Sequence, residues 1–293
     1  MSEGVTGEPA GLSVTPAQPR VAVRRKGRWG ERTVTTVAIL FALFLGIPVL
    51  NLVARAVLNG SLQVALGTQA VLDALWLSLV TTSISLVITV VLGLPLAFLL
   101  ARRSFRGKGL IETVVDIPIV LPPSVAGLAL LLVFGRRGLL AAPFEFLGIS
   151  VPFTTVAVIL AMTFVSAPFF IRSARTGIAG VERDLEDAAR VDGASERQLF
   201  RSITLPLAGT ALAAGLVMTW ARSLGEFGAT IMFAGNVQGR TQTLPLVVYS
   251  EFQGGGLDAS VAAAAILVLA AFGVLVAVRV FDWGRFGDVR GLA

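Results

Sequence analysis

Long uncharged apolar runs, separated by short charged segments, dominate the pattern of this chain. Six such runs cover residues 33–54, 74–101, 117–135, 146–171, 202–221 and 259–278. Each is long enough to cross a bilayer as an α-helix, which needs about 20 apolar residues. A helix is required because the hydrocarbon offers no water to bond to exposed backbone N–H and C=O groups. The pattern therefore predicts an all-α membrane protein with six transmembrane helices.

The Lys and Arg residues are unevenly distributed around these runs. Of the 24, 19 lie before the first run, between runs two and three, between runs four and five, or after the sixth. Cytoplasmic segments carry such an excess of basic residues, so both termini are expected in the cytoplasm. The expected order is a disordered basic tail at 1–32, a first transmembrane helix at 33–58, a core at 74–280, and a second tail at 281–293.

The composition narrows the function further. The chain is 55% hydrophobic and only 14% charged, and it contains neither Cys nor His. The absence of these two residue types excludes disulfides, thiolate or imidazole metal ligands, and Cys or Ser-His nucleophiles. The net charge of +6 is explained by orientation in lipid rather than by nucleic-acid binding. We therefore expect a membrane protein that is not an enzyme and holds no metal or cofactor of its own.

The loop at 173–206 is too charged to be a span. Leu185, Ala188, Ala189 and Val191 recur at helical spacing, Gly193 interrupts the helix, and a second helix begins near Glu196. An amphipathic helix that extends from the membrane exposes an apolar face that requires a partner. The alternative is a solvated helix lying against the ends of its own spans.

The motif in this loop resembles a known signature. Asp187-Ala188-Ala189, Gly193 and Ile203-Thr204-Leu205-Pro206 match E-A-A-x3-G-x9-I-x-L-P, the signature of permease subunits of bacterial binding-protein-dependent ABC importers. Asp187 replaces the glutamate and Glu186 precedes it, so either carboxylate fits the acidic position. The residues that the resemblance assigns to coupling with an ATPase are Glu186, Asp187, Ala188, Ala189, Gly193, Ile203, Leu205 and Pro206.

The resemblance also implies partners. It implies the type I ABC importer permease fold, a second permease copy, and an ATPase dimer whose closure drives alternating access. The chain has no phosphate-binding loop of its own, because Gly107-Lys108 lacks the upstream glycine and the downstream Ser or Thr. ATP and Mg²⁺ are therefore expected on the partner ATPase.

Two further stretches resemble the molybdate permease group. The first runs through 121–130 and 134–138, and the second through 224–230, 235–236 and 239–245. The resemblance implies a tetrahedral oxyanion, molybdate or tungstate, delivered by a periplasmic or surface-tethered binding protein. Sulfate/thiosulfate permeases share a related pattern and are the alternative. An ATP-independent secondary transporter is disfavoured, because Glu226 is the lone midspan carboxylate and no repeat is evident.

Candidate translocation-path residues lie in the third and fifth runs. Pro122 and Pro123 indicate either a broken helix that lines the path or a packing kink. Arg222 and Glu226 are four residues apart on one predicted helix face, so they can form a structural ion pair or a gate.

The outer loops carry a second group of candidates. Asn236, Arg240 and Thr241 face either the binding protein or solvent. Arg136 and Arg137, on another outer loop, are candidates for steering anions.

Overall fold

The computed structural model describes the backbone of residues 28–287 and the side-chain environments of residues 32–276. Within these residues the chain forms helices and no strand, so the all-α prediction is confirmed. In chain order the helices are α1 (Arg28–Leu58), α2 (Ser61–Leu66), α3 (Gln69–Arg102), α4 (Lys108–Val120), α5 (Pro123–Phe134), α6 (Ala141–Phe146), α7 (Thr155–Ala179), α8 (Arg183–Val191), α9 (Glu196–Leu199), a π-helical turn (Phe200–Thr204), α10 (Leu205–Leu207), α11 (Gly209–Leu224), α12 (Gly228–Phe233), α13 (Leu244–Gln253) and α14 (Leu257–Gly287).

The helices account for four to six spans. Among the described residues, α1, α3, α7 and α14 are each long and apolar enough to cross a membrane. Two bent helix pairs bring the number to six if each pair is one span. Six spans were predicted, but two of the six are broken rather than straight.

The third predicted span, residues 117–135, is the first broken one. α4 and α5 meet at an angle of 119°. Pro122 and Pro123 follow Leu121, the residue that caps α4, and neither has the backbone N–H that would continue the hydrogen bonds of α4. Pro123 instead begins α5, because the first residues of a helix need no N–H for an intrahelical bond. The apolar run is continuous in sequence, but the helix is not.

The fifth predicted span, residues 202–221, is bent by 71° between the segment ending at Leu207 and α11. The helix that leads into it begins at Glu196, as predicted for the second helix of the coupling loop. Pro206 has no N–H to donate to the preceding turn. There the helix widens into the π-helical turn, in which the N–H of Leu205 bonds to the carbonyl of Phe200.

The fourth span and the tails also differ from the prediction. α7 begins at Thr155 rather than at 146, where the hydroxyl of Thr154 accepts a hydrogen bond from the N–H of Ala157. α1 begins at Arg28, inside the predicted tail at 1–32, because arginine is a good helix former. α14 continues to Gly287, inside the predicted tail at 281–293. The rest of both predicted tails lies outside the described residues.

The chain divides into two units: the first ends at Pro48, and the second begins at Val49. In the first unit the apolar side chains of α1, such as Val34 and Phe44, are exposed, as expected of side chains that face lipid. The core of the second unit is built from α3, α7 and α11, which pack along their lengths.

Small and hydroxyl-bearing residues allow these three helices to approach closely. A Cβ on Gly177 of α7 would lie 2.5 Å from the Cβ of Ala211 on α11. The Ser85 hydroxyl of α3 accepts hydrogen bonds from Thr163 of α7, at 3.0 Å, and from Ser223 of α11, at 3.3 Å. Close backbone approach and hydroxyl contacts are how helices associate where lipid removes the hydrophobic drive. The buried hydroxyl residues of α3 are Ser78, Thr81, Thr82, Ser85 and Thr89.

Segments that the charge pattern assigned to one side of the membrane meet in the fold. Arg102, at the end of α3, contacts the loop between α7 and α11. At the opposite end of α7, the hydroxyl of Thr155 donates to the carbonyl of Arg240. Which of these two ends is cytoplasmic remains a prediction from the distribution of Lys and Arg.

Candidate functional site

The Gly193 turn sets the shape of the predicted coupling loop. Gly193 has a φ of 88°, a left-handed conformation that side chains with a Cβ adopt at a cost. The N–H of Ala194 bonds to the carbonyl of Ala189, and the N–H of Gly193 bonds to the carbonyl of Arg190. These two bonds form a Schellman motif, which ends α8 and turns the chain into α9. The predicted helix, glycine turn and second helix are all present.

Arg190 links the two helices that flank this turn, α8 and α9. Its guanidinium lies 2.9 Å from Glu196 on α9 and 2.6 Å from Asp187 on its own helix. The hydrogen bonds to Glu196 and then Asp187 raise the pKa of Arg190 above its ordinary value, and Arg190 in turn lowers the pKa of Glu196. Both partners therefore stay charged at neutral pH. A capping box in which Ser195 and Gln198 bond reciprocally starts α9.

Glu186 and Asp187, which the sequence does not distinguish, occupy different environments. Glu186 is the one buried residue of α8. Its carboxylate accepts hydrogen bonds from Arg102, at 2.5 Å, and from the Thr204 hydroxyl, at 2.8 Å. Asp187 is exposed, as is Ala188, and Ala189 is half-buried. The solvent face of α8 therefore carries Asp187, with Leu185 and Val191 also exposed.

The second half of the signature packs inward. Ile203 and Leu205 contact the buried cluster formed by the C-terminal ends of α3 and α7 and the beginning of α11. Pro206 is exposed and lies in the first turn of α10, before the bend into α11. The signature therefore joins an exposed surface at Asp187–Ala188 to an anchor at Ile203 and Leu205.

Sequence reasoning missed Arg102. It entered the prediction only as one of the basic residues between the second and third runs. In the fold both of its terminal nitrogens donate to the Val181 carbonyl, and one also donates to Glu186. Its position as the last residue of a long apolar helix, opposite an acidic loop, was the one available signal.

Pro122 and Pro123 lie at the bend between α4 and α5 and are exposed. α5 packs closely on α12: a Cβ on Gly228 would lie 2.7 Å from the Pro123 side chain, and one on Gly127 would lie 2.6 Å from the Ala229 carbonyl. The glycines thus allow the two short helices to touch. This part of the broken-helix prediction is consistent with the fold, and a role in the path remains a prediction.

Arg222 and Glu226 form an ion pair of 2.7 Å, as their spacing predicts. They do not share one helix face, however, because α11 ends at Leu224 and Glu226 follows the turn at Gly225. The other Glu226 oxygen accepts a hydrogen bond from the N–H of Ala229, at 2.8 Å. Glu226 is buried, while the Arg222 side chain remains 30% exposed.

The outer-loop candidates separate into a buried and an exposed set. Thr241 is fully buried, and its hydroxyl accepts a hydrogen bond from the N–H of Val237. Asn236 and Arg240 are exposed. Arg240 and Arg136 line the same open cavity of about 550 Å³, with Ser150 and Thr154.

Comparison with known proteins identifies the family. Residues 89–283 match the family described as binding-protein-dependent transport system inner membrane component. The match covers more than half of the chain. The chain therefore belongs to this family of ABC importer permeases, and it is a multi-pass protein of the bacterial inner membrane.

Curated relatives carry more specific names. The molybdenum transport system permease protein ModB of Haemophilus influenzae is 43% identical over 162 residues, which is 55% of this chain and 71% of that one. ModB of Escherichia coli is 37% identical over 212 residues, covering 72% of this chain and 92% of that one. A probable sulfate transport system permease protein of Chlorella vulgaris is 37% identical over 179 residues, covering 61% and 67%.

A solved structure shares the fold. A bacterial ABC transporter involved in the import of the acidic polysaccharide alginate contains a chain that matches with a TM-score of 0.70. The match covers 86% of this chain and 94% of that one at 17% identity. The predicted type I ABC importer permease fold is thereby confirmed.

Proposed function

We propose that this chain is the transmembrane permease subunit of an ATP-driven importer of molybdate or tungstate. Two copies enclose one path, an ATPase dimer binds ATP and Mg²⁺ on the cytoplasmic side, and a binding protein delivers the oxyanion from outside. The chain itself holds no ATPase site and performs no chemistry on the ion. ATP-driven closure of the ATPase dimer switches the path between its inward-facing and outward-facing states.

The exposed face of α8 is the observation that carries the coupling part of this proposal. α8 presents the Asp187 carboxylate together with Val191, an exposed apolar side chain one turn further along the same face. An exposed apolar patch rimmed by charge is typical of a protein interface. The Gly193 turn and the Arg190 ion pairs hold this face in one shape, so docking on a partner requires little additional ordering.

The substrate part rests on the relatives and on the charges at the outer end. Two of the relatives described above are molybdenum permeases. Arg136 and Arg240 line one cavity at the end of the fold opposite α8, where positive charge attracts either an oxyanion or acidic side chains of a binding protein. Sulfate is the second candidate, because a probable sulfate permease matches as well.

Reconstitution in liposomes tests the proposal. The chain is incorporated with and without its ATPase, and ATP-dependent uptake is measured from binding protein loaded with molybdate, tungstate or sulfate. Uptake of molybdate or tungstate that requires both ATP and the ATPase supports the proposal. Uptake that persists without the ATPase contradicts the coupling, and uptake of sulfate alone selects the second candidate.

A further inference from the structure

A buried network joins three segments that are distant in the sequence. Arg102 lies at the end of α3, Glu186 lies in α8, and Thr204 lies in the π-helical turn. Glu186 accepts hydrogen bonds from both other side chains, at 2.5 and 2.8 Å, and Arg102 also donates to the Val181 carbonyl at 3.2 and 3.3 Å. The network therefore holds α8 to the end of α3.

Stability alone does not explain this ion pair. The side chains of Arg102 and Glu186 are only 9% and 5% exposed. Removing such charges from water costs several kcal/mol, so an apolar pair of the same volume is often as stable. The planar guanidinium does supply a fixed direction, because its donors bind two acceptors in one geometry. The pair is thus suited to position α8 accurately.

The network is also the main buried attachment of α8. Every other residue of this helix is exposed or half-buried. Without the network, α8 would connect to the core through the short link of Gly180, Val181 and Glu182 and through the turn at Gly193. A displacement applied to α8 would then be absorbed by those links.

We infer that Arg102, Glu186 and Thr204 are positioning residues that transmit the displacement of α8 to the end of α3. α3 packs against α7 and α11, so movement of its end displaces the central layer of the core. This inference rests on the proposed function, because it assumes that an ATPase moves α8. It assigns Glu186 to transmission inside the permease and Asp187 to the contact with the ATPase.

Glu186→Gln is the most specific variant. It keeps the shape of the side chain and an acceptor for Thr204 while removing the charge that Arg102 binds. Thr204→Val is a second variant that removes one donor and leaves the ion pair. Asp184→Asn is the matched control, because Asp184 is an exposed carboxylate in the first turn of the same helix.

The first measurement requires neither ATP nor a substrate. The chain contains no cysteine, so Asp192→Cys gives a single labelling site at the end of α8. A nitroxide at this site is measured on the full-length permease in lipid nanodiscs. Greater label mobility is expected in Glu186→Gln and Thr204→Val, and no change is expected in Asp184→Asn.

The second measurement uses the assembled complex with its ATPase and binding protein. Glu186→Gln is expected to bind the ATPase as the wild type does but to hydrolyse about tenfold more ATP per ion imported, the factor that corresponds to the loss of one charge-assisted hydrogen bond. Thr204→Val is expected to show the same change to a smaller extent. Asp184→Asn is expected to keep the wild-type ratio.

Three results would overturn the inference: unchanged label mobility in Glu186→Gln, a wild-type ratio of ATP to imported ion, or a loss of ATPase binding. The last result would place Glu186 in the contact itself. If the wild-type complex imports no oxyanion, the proposed function fails, while the label mobility still decides whether the network holds α8.

Discussion

The carboxylates of Glu186 and Asp187 are adjacent in the chain and project about 100° apart around α8, one into the fold and the other into solvent. The side chain of Glu186 is 5% exposed, whereas that of Asp187 is 68% exposed. Only Asp187 is both in register with Ala188 and Ala189 and accessible to another protein. We therefore expect Asp187 to occupy the acidic position of the signature.

Asp187→Ala should weaken binding of the ATPase to the permease about fivefold, which corresponds to an exposed ionic contact of about 1 kcal/mol. Asp187→Glu should retain wild-type affinity, because it restores the residue found in the signature. The measurement is the dissociation constant of detergent-solubilised permease and ATPase. Equal affinities for Asp187→Ala and wild type would contradict the assignment.

Gly193 should tolerate asparagine better than valine. Its φ of 88° costs an ordinary side chain about 1–2 kcal/mol, while asparagine adopts this conformation more readily. A Cβ would meet no atom within 4 Å, so strain in the backbone is the only penalty. Gly193→Val is therefore expected to weaken ATPase binding by roughly 5- to 30-fold without affecting membrane insertion, and Gly193→Asn is expected to retain most binding. Equal binding by the two variants would show that the turn does not shape the docking surface.

The coupling loop could be predicted from sequence because its determinants are local. The N–H of Gly193 bonds to Arg190, three residues earlier, and the N–H of Ala194 bonds to Ala189, five residues earlier, and together these bonds end α8. Pro206 disturbs only the turn before it. Apolar runs also gave the number of spans, because run length measures how much chain the bilayer can hold. Run length does not report direction, so the bend at Ala208 was not predicted. At Pro122 and Pro123 the sequence left a broken helix and a packing kink as alternatives.

The partner of Glu186 could not be predicted. Arg102 is 84 residues away, and no local pattern links the two. Before the fold is known, a basic residue after an apolar run indicates only orientation. The burial that distinguishes Glu186 from Asp187 arises from its contacts with Arg102 at the end of α3 and Thr204 in the π-helical turn, which are a property of the tertiary structure.

The pair of Arg222 and Glu226 can be tested as a structural contact. Arg222→Met leaves the buried Glu226 without its cation and is expected to destabilise the permease by about 3 kcal/mol. The double variant Arg222→Met with Glu226→Gln should recover most of this loss, because no buried charge remains unpaired. Thermal unfolding in detergent measures both.

Uptake by the same double variant shows whether the ion pair is a structural contact or a gate in the path. A stable double variant that imports at the wild-type rate assigns the pair to holding the turn between α11 and α12 in place. A stable double variant without uptake assigns it to the path. Failure of the second substitution to restore stability would contradict the view that an unpaired Glu226 is what destabilises the single variant.

Arg240 and Arg137 provide a matched comparison at the outer end. Both are exposed, but Arg240 lines the cavity shared with Arg136 and Arg137 does not. If the cavity receives acidic groups of the binding protein, Arg240→Gln should raise the concentration of loaded binding protein needed for half-maximal uptake and leave the maximal rate unchanged. The effect should diminish as salt is raised, because ionic contacts at a surface are screened over about 8 Å at physiological ionic strength.

Arg137→Gln should behave as the wild type at every salt concentration. Equal effects of the two variants would show that only the general positive charge of this end matters, and a lower maximal rate in Arg240→Gln would instead place Arg240 on the path of the ion.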